Sequence, residues 1–342
     1  MIYRAKAPLR IGLAGGGTDV SPYADLHGGA ILNATVSLFA SASISLRDDN
    51  RILLGSRDLG ERVEVEATEQ LEIDGKLDLL KGVYNRLVRD YGLAPQGFTL
   101  ITEVDAPKGS GMGTSSTVTV AVLGAFAEWL RLPLGEYDVA RLAYDIERID
   151  LGMSGGRQDQ YAATFGGFNY MEFYADEKVI VNPLRVRRSY QKELEHNLIL
   201  YYTGTSRLSA KIIDQQQAAF AKTGPSNSSI EAAHALKEQA VRMKEAILTG
   251  KLDGIGELLD FGWQHKKQMA AGISNAIIDQ LYDSALDAGA TGGKISGAGG
   301  GGFMTFYCPG QTRHTVAEAL KAHGGELRNF VFVNEGMMSW VG

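Results

Sequence analysis

The chain has 342 residues, 44% hydrophobic and 22% charged, with 34 basic against 40 acidic side chains and a formal net charge of −6. That length exceeds one ordinary core and points to two domains, and the acidic balance without a basic run excludes a nucleic-acid arm. A single cysteine, Cys308, excludes an intramolecular disulfide and a thiolate metal cluster.

Met1 to Lys6 lacks the apolar core of a signal peptide, and no apolar run reaches the roughly 18 residues that would span a membrane. A cytoplasmic setting is expected. Ile2 to Ile11 reads as a strand, interrupted by Pro8, that empties into Gly12-Leu13-Ala14-Gly15-Gly16-Gly17-Thr18-Asp19. Consecutive glycines there let backbone, Arg10 and Asp19 surround something that comes close. Ile31 to Leu46 alternates as a strand, followed by β-like runs at Arg51 to Ser56 and Arg62 to Ala67. Leu77 to Tyr91 has helical spacing, and Gly97 to Val104 returns to alternation.

Pro107-Lys108-Gly109-Ser110-Gly111-Met112-Gly113-Thr114-Ser115-Ser116-Thr117 sets glycines at alternate positions, then hydroxyl residues, then the apolar run Val118 to Phe126. It reads as a phosphate loop opening a helix that ends near Leu130. Glycine keeps side chains out of an anion's way, and the helix start supplies free N–H groups and positive potential. A glycine-rich turn with a Ser/Thr cap is the other reading of these residues. Asp138 is expected to cap the next helix, with Val139, Leu142, Ala143, Ile146 and Ile149 on its buried face. Gly152 ends that helix, Met153 to Gln160 forms a polar loop, and Phe168 to Phe173 resumes strand.

Pro183 and the cluster Arg185, Arg187 and Arg188 mark the expected domain boundary, giving domains 1–185 and 186–342. Asn197 to Tyr202 reads as a strand, Thr203 to Ser206 as a turn and Leu208 to Phe220 as a helix. Thr223 to Ser229 is a candidate lid, with Ser229 as the cap of the helix after it. Helices are expected at Ile230 to Leu248, Leu252 to Ala270, Asn275 to Ala288 and Thr312 to His323, and strands at Phe303 to Tyr307 and Leu327 to Val333. The mixture of elements without strict βαβ alternation indicates an α+β fold.

Gly297-Ala298-Gly299-Gly300-Gly301-Gly302 satisfies G-x-G-x-x-G, but it is expected to follow a predicted helix and precede a strand, the reverse of a dinucleotide turn. Its glycines fit better against the first glycine loop and the same phosphates. Asp260-Phe261-Gly262 has no accompanying kinase motif, and a Walker loop is missing. Glu147 and Asp159 suit phosphoryl transfer, one holding Mg²⁺ and the other accepting the proton of the attacking hydroxyl. Glu147 also reads as a solvated helix residue paired with Arg148 or Asp150. The six histidines show no zinc spacing.

Three glycine loops in this order resemble the GHMP kinase family, through Ala7-Pro8-Leu9-Arg10-Ile11-Gly12 leading to Gly15-Gly16-Gly17-Thr18-Asp19, then Pro107 to Ser116, then Gly297 to Gly302. The resemblance implies a two-domain fold, an N-terminal ribosomal-protein-S5-like α/β domain and a C-terminal ferredoxin-like α+β domain. It implies ATP on Lys108 to Ser116, Mg²⁺ on Ser116 and Glu147, Asp159 as catalytic base, and Arg10 beside the transferred phosphoryl group. Gly17, Thr18, Asp19, Gly299 and Gly300 fall on the substrate side.

Gly15-Gly16-Gly17 departs from galactokinases. Leu13 to Asp19, Gln158-Asp159-Gln160-Tyr161 and Tyr202 to Arg207 are instead similar to the family's heptose 7-phosphate kinases, which phosphorylate the anomeric hydroxyl of D-glycero-D-manno-heptose 7-phosphate on the way to nucleotide-activated heptose. A sugar that already carries phosphate needs a second anion site, for which Arg157 and Arg207 are the candidates. The expected partners are ATP and a sugar phosphate, with no nucleic acid or membrane, and the expected state is a monomer or homodimer. A kinase for an unphosphorylated sugar such as fucose and a non-catalytic sugar sensor are the competing readings.

Overall fold

Long apolar runs build the two strands at the centre of the molecule, β1 (Ile2–Ala14) and, after a short helix α1 (Tyr23–His27), β2 (Gly29–Leu46), both buried over much of their length. The computed structural model describes residues 1–205, 209–222 and 227–342; Arg207 and most of the expected lid, 223–226, lie outside them. The chain continues through β3 (Arg51–Ser56), β4 (Glu61–Glu66), α2 (Asp78–Tyr91), β5 (Phe98–Val104), α3 (Thr114–Leu130), α4 (Glu136–Asp145), α5 (Gln158–Phe165), β6 (Phe168–Phe173) and β7 (Val179–Pro183). β1 and β2 pair antiparallel with register shifts at Pro8/Leu9 and Gly12/Ala14. A bulge thus absorbs Pro8, and the strand runs on through it.

The second part comprises α6 (Arg188–Asn197), β8 (Leu198–Tyr202), α7 (Ser209–Phe220), α8 (Ser228–Thr249), α9 (Ile255–Lys266), α10 (Ala276–Asp287), β9 (Gly292–Ile295), β10 (Phe303–Tyr307), α11 (Arg313–Lys321), β11 (Glu326–Arg328) and β12 (Met338–Val341). Eight strands form one sheet in the order β12-β1-β2-β5-β3-β4, with β6 pairing β2 and β7, and β11-β8-β10-β9 form a second. The last strand therefore returns to the first sheet, Tyr3 opposite Val341. Helix α3 is buried continuously from Thr119 to Phe126 and packs on β1, β2, α2, α4 and α5. A helix apolar on all sides must sit inside a core, and each fully buried large side chain such as Phe126 contributes about 1.5–3 kcal/mol.

Several local expectations change. Gly135 caps α4, while Asp138 sits in its first turn and accepts the Gly135 N–H at 2.9 Å. The end of that helix is a π-helical turn, Ile146–Asp150, whose extra residue turns Ile149 out to 60% exposure and Glu147 fully in. Asn227 rather than Ser229 caps α8, its side chain accepting from the N–H groups of Ser229 and Ile230. Asp159 lies in the first turn of α5, not in a loop. The strand expected at Leu327 to Val333 is only the short β11 plus a bridge from Phe332 to Val36. Elements β7, α6 and β12 are short or polar and carry little periodicity. Among the described residues no helix is long and apolar enough to cross a membrane.

Candidate active site

The phosphate-loop glycines Gly109, Gly111 and Gly113 all have left-handed backbone, with φ of 73°, 78° and 77°. A non-glycine residue rarely adopts it. The alternation sends Met112 and the Ser110 hydroxyl inward, while Lys108, Gly109, Gly111 and Gly113 to Ser116 face a cleft of about 830 Å³. Space as well as conformation is exhausted at Gly111, where a Cβ would overlap the Ser296 carbonyl. Phe303 N–H donates to Ser110 O at 2.9 Å, so the Gly297 to Gly302 loop is bonded to the phosphate loop directly. Its tie to the first glycine loop runs instead through Lys294, whose Nζ donates to Gly12 O at 2.8 Å.

Arg10 joins three parts of the cleft floor. It reaches Asp159 Oδ1 from Nε at 2.7 Å and from Nη2 at 2.6 Å, and Nη1 donates to Gly111 O at 2.6 Å. Asp159 also stands against the phosphate loop, since a Cβ on Gly113 would lie 3.0 Å from its Cγ. Asp19 Oδ2 accepts the N–H groups of Arg157 and Gln158 at 2.8 and 3.1 Å, filling the capping role at the start of α5. Burial, then the nearby Asp159 charge, pushes the Asp19 carboxyl above the usual carboxylate range despite those N–H donors.

Glu147 is 0% exposed, which removes the solvated reading. Ser116 Oγ donates to its Oε2 at 2.7 Å, Thr119 Oγ1 donates to Oε1 at 3.1 Å, Arg148 lies 3.4 Å away, and Gln160 Nε2 bonds both Glu147 and Ser116. The π-helical turn puts this carboxylate under the first turn of α3. Gln160 Oε1 is buried there with no partner among the described residues. Hydroxyl, carboxylate and amide oxygens are the donors that suit a small divalent cation sharing phosphate oxygens. No cluster of three or more His, Cys, Asp or Glu that could hold a metal occurs among the described residues. Ser110 Oγ, Ser296 Oγ and Gln158 Oε1 are likewise buried without partners near this cleft. Such groups are costly to leave unsatisfied.

Two lysines escaped the sequence reading. Lys266, in the last turn of α9, lines the cleft and donates to Gly16 O at 3.2 Å. Burial lowers its ammonium to about 8, with Asp19 opposing and Arg10 adding to the shift. Lys294 is pushed well below the usual ammonium value by burial, then by Lys266 and Arg10. Nothing in their local sequence announces buried lysines, which are rare.

Not every expected residue reaches the cleft. Arg157 commits its guanidinium to Asp25 at 2.5 Å, Tyr174 O at 2.7 Å and Ser21 Oγ at 3.1 Å. Its side chain thus ties α5 to the α1 segment, and no cation is left for a ligand. Thr18 is buried in bonds to Gly15 O and Ala30 O, and Gly300 N–H donates to Ile273 O. Gly299 packs on the same Ile273, so the cleft is lined at this loop by Gly297 and Ala298 instead. Gly17 and Asp19 do line it.

A family model described as GHMP kinases N terminal domain matches residues 78–167, and one described as GHMP kinases C terminal matches 243–326. The D-glycero-alpha-D-manno-heptose 7-phosphate kinase of Campylobacter jejuni is 47% identical over 337 residues, covering 98% of each chain. The crystal structure of a D-glycero-D-manno-heptose 1-phosphate kinase from Bacteroides thetaiotaomicron matches 99% of both chains with a TM-score of 0.84 and 45% identity. Lactococcus lactis galactokinase, in complex with galactose, matches 98% of this chain and 95% of its own at a TM-score of 0.76 and 19% identity, a likeness of fold alone.

Proposed function

The chain belongs to the GHMP kinase family, and from that premise we propose that it transfers the γ-phosphoryl group of ATP to the C1 hydroxyl of D-glycero-D-manno-heptose 7-phosphate, giving the 1,7-bisphosphate. The observation that carries the chemistry is Asp159, held by Arg10 against Gly113 at the lip of the phosphate loop. Identity of 47% along 98% of a heptose 7-phosphate kinase supports the choice of acceptor.

In this reading Lys108 to Ser116 cradle the nucleotide phosphates with loop N–H groups and the start of α3. Asp159 accepts the proton of the attacking hydroxyl, and Arg10 holds its carboxylate in place and faces the charge that develops on the transferred group. Ser116 and Glu147 are the residues that would hold Mg²⁺. Bound there, the cation offsets phosphate charge. Asp19 keeps Oδ2 on the α5 N–H groups and turns its remaining oxygen to the sugar. Residues 1–185 supply the phosphate loop and carboxylates, 186–342 supply the third glycine loop, and the reaction runs in the cytoplasm.

Coupled ADP release measured over phosphorylated and free sugars tests the assignment, with heptose 7-phosphate expected to exceed unphosphorylated heptose, fucose and galactose. A flat response across these acceptors overturns it. The Bacteroides relative's name places phosphate at position 1. Identifying by NMR the carbon that gains phosphate separates a 1-kinase from an enzyme that takes the 1-phosphate as acceptor.

A further inference from the structure

Part of the cleft lining is formed by Gly17, by Gly152 to Gly156, by Ala210, Ile213 and Gln216 of α7, and by Lys266. An acceptor that carries its own phosphate brings a second anion into the cleft and needs donors for it. Among the described residues the other cations lining the cleft have other tasks: Arg10 pairs with Asp159, Arg148 stands beside Glu147, and Lys108 belongs to the phosphate loop. Arg157 is committed to Asp25.

Lys266 differs from these. It is 3% exposed, its ammonium makes one hydrogen bond among the described residues, to Gly16 O, and two of its three donors remain available. Gln216 is 1% exposed, and its Nε2 has no partner among the described residues. The two side chains reach the first glycine loop from α9 and α7. Lys266 Nζ lies 3.5 Å from where a Gly16 Cβ would be, and Gln216 Oε1 lies 3.7 Å from where a Gly17 Cβ would be. A buried ammonium and a buried amide donor unpartnered among the described residues, both lining the cleft, make a built anion site.

We propose that Lys266 and Gln216 bind the phosphate the acceptor already carries. The assignment rests on the phosphorylated-sugar reading above and deepens it. Lys266 is then the residue that makes the enzyme prefer a sugar phosphate over the free sugar.

The test is the ratio of kcat/KM for heptose 7-phosphate to kcat/KM for unphosphorylated heptose, with the KM for ATP measured alongside. Lys266→Met should lower that ratio by about 10–100-fold, the usual contribution of a hydrogen bond to a charged group, and Lys266→Arg should restore part of it. Gln216→Leu, a second variant with no buried charge altered, should lower the ratio less, by about 5-fold. Equal losses on both acceptors, or a rise confined to the KM for ATP, would overturn the proposal, the latter by assigning Lys266 to the transferred phosphoryl group. If the unaltered enzyme itself shows no preference for the phosphorylated sugar, it is the acceptor assignment that fails instead.

Discussion

Arg10 and Asp159 meet across 149 positions of sequence, Nε to Oδ1 at 2.7 Å, with the same guanidinium holding Gly111 O at 2.6 Å. One arginine thereby sets the distance between the Asp159 carboxylate and the glycine loop at Gly111. Asp159→Asn should retain the hydrogen bond from Arg10 but lose the base. Turnover is expected to fall by roughly 10²–10⁴-fold, while ATP binding followed by titration calorimetry stays within about threefold. Near-normal turnover would remove Asp159 from the role.

Glu147 is a charge buried among four partners, so its two substitutions should behave differently. Glu147→Gln keeps the shape and should raise the Mg²⁺ concentration for half-maximal activity by at least about tenfold. Glu147→Ala strands Arg148 and three hydrogen-bonding side chains and should cost about 3–5 kcal/mol in denaturant unfolding. An unchanged Mg²⁺ requirement in the glutamine variant would leave Glu147 a structural residue only.

Gly111→Ala puts a Cβ into the Ser296 carbonyl and demands left-handed backbone from alanine. Because the clash is with backbone, neither loop can yield cheaply. A loss of at least about 1–3 kcal/mol is expected, together with a raised KM for ATP.

Lys266 faces Gly16 O and Asp19 from the first glycine loop, Arg10 from β1 and Lys294 from β9. With its ammonium lowered to about 8, it is charged below that pH and neutral above it. Acceptor binding should therefore weaken as pH rises from about 7 to about 9.5, the range spanning that value. The KM for the phosphorylated acceptor should climb through an inflection at or above about pH 8, since a bound phosphate favours the protonated lysine. In Lys266→Arg, which stays charged, the inflection should vanish.

Arg157→Ala serves as a contrast. Removing a guanidinium that is 3% exposed leaves Asp25, Ser21 and the Tyr174 carbonyl unpaired. The expected effect is a lower melting temperature with the acceptor KM changed less than about threefold, because the side chain faces α1 rather than the cleft.

The three glycine loops could be located in the sequence because a backbone that must approach an anion or another backbone tolerates little besides glycine. Helix α3 could be found because a long apolar run follows its glycine-rich start, and strands β1, β2 and β5 because apolar or alternating residues run along them. Helix α5 escaped, being eight residues long and capped by Asp19 from far away in the chain rather than by a neighbour. Arg157 looked like a ligand because an arginine beside glycines has no visible partner in sequence. Lys266 looked like an ordinary helix residue for the converse reason.

The sequence by itself indicated the α+β class and a candidate phosphate loop, and together with the family resemblance it singled out Asp159 and Glu147 as the carboxylates of interest. Only the tertiary structure decided which charged groups face the cleft. Burial of Glu147 depends on a π-helical turn, the fate of Arg157 on a carboxylate 132 positions away, and the placement of Lys266 on a carbonyl 250 positions away. Charge pairing and desolvation are set by distances in space, and a linear sequence does not carry those distances until the chain has folded.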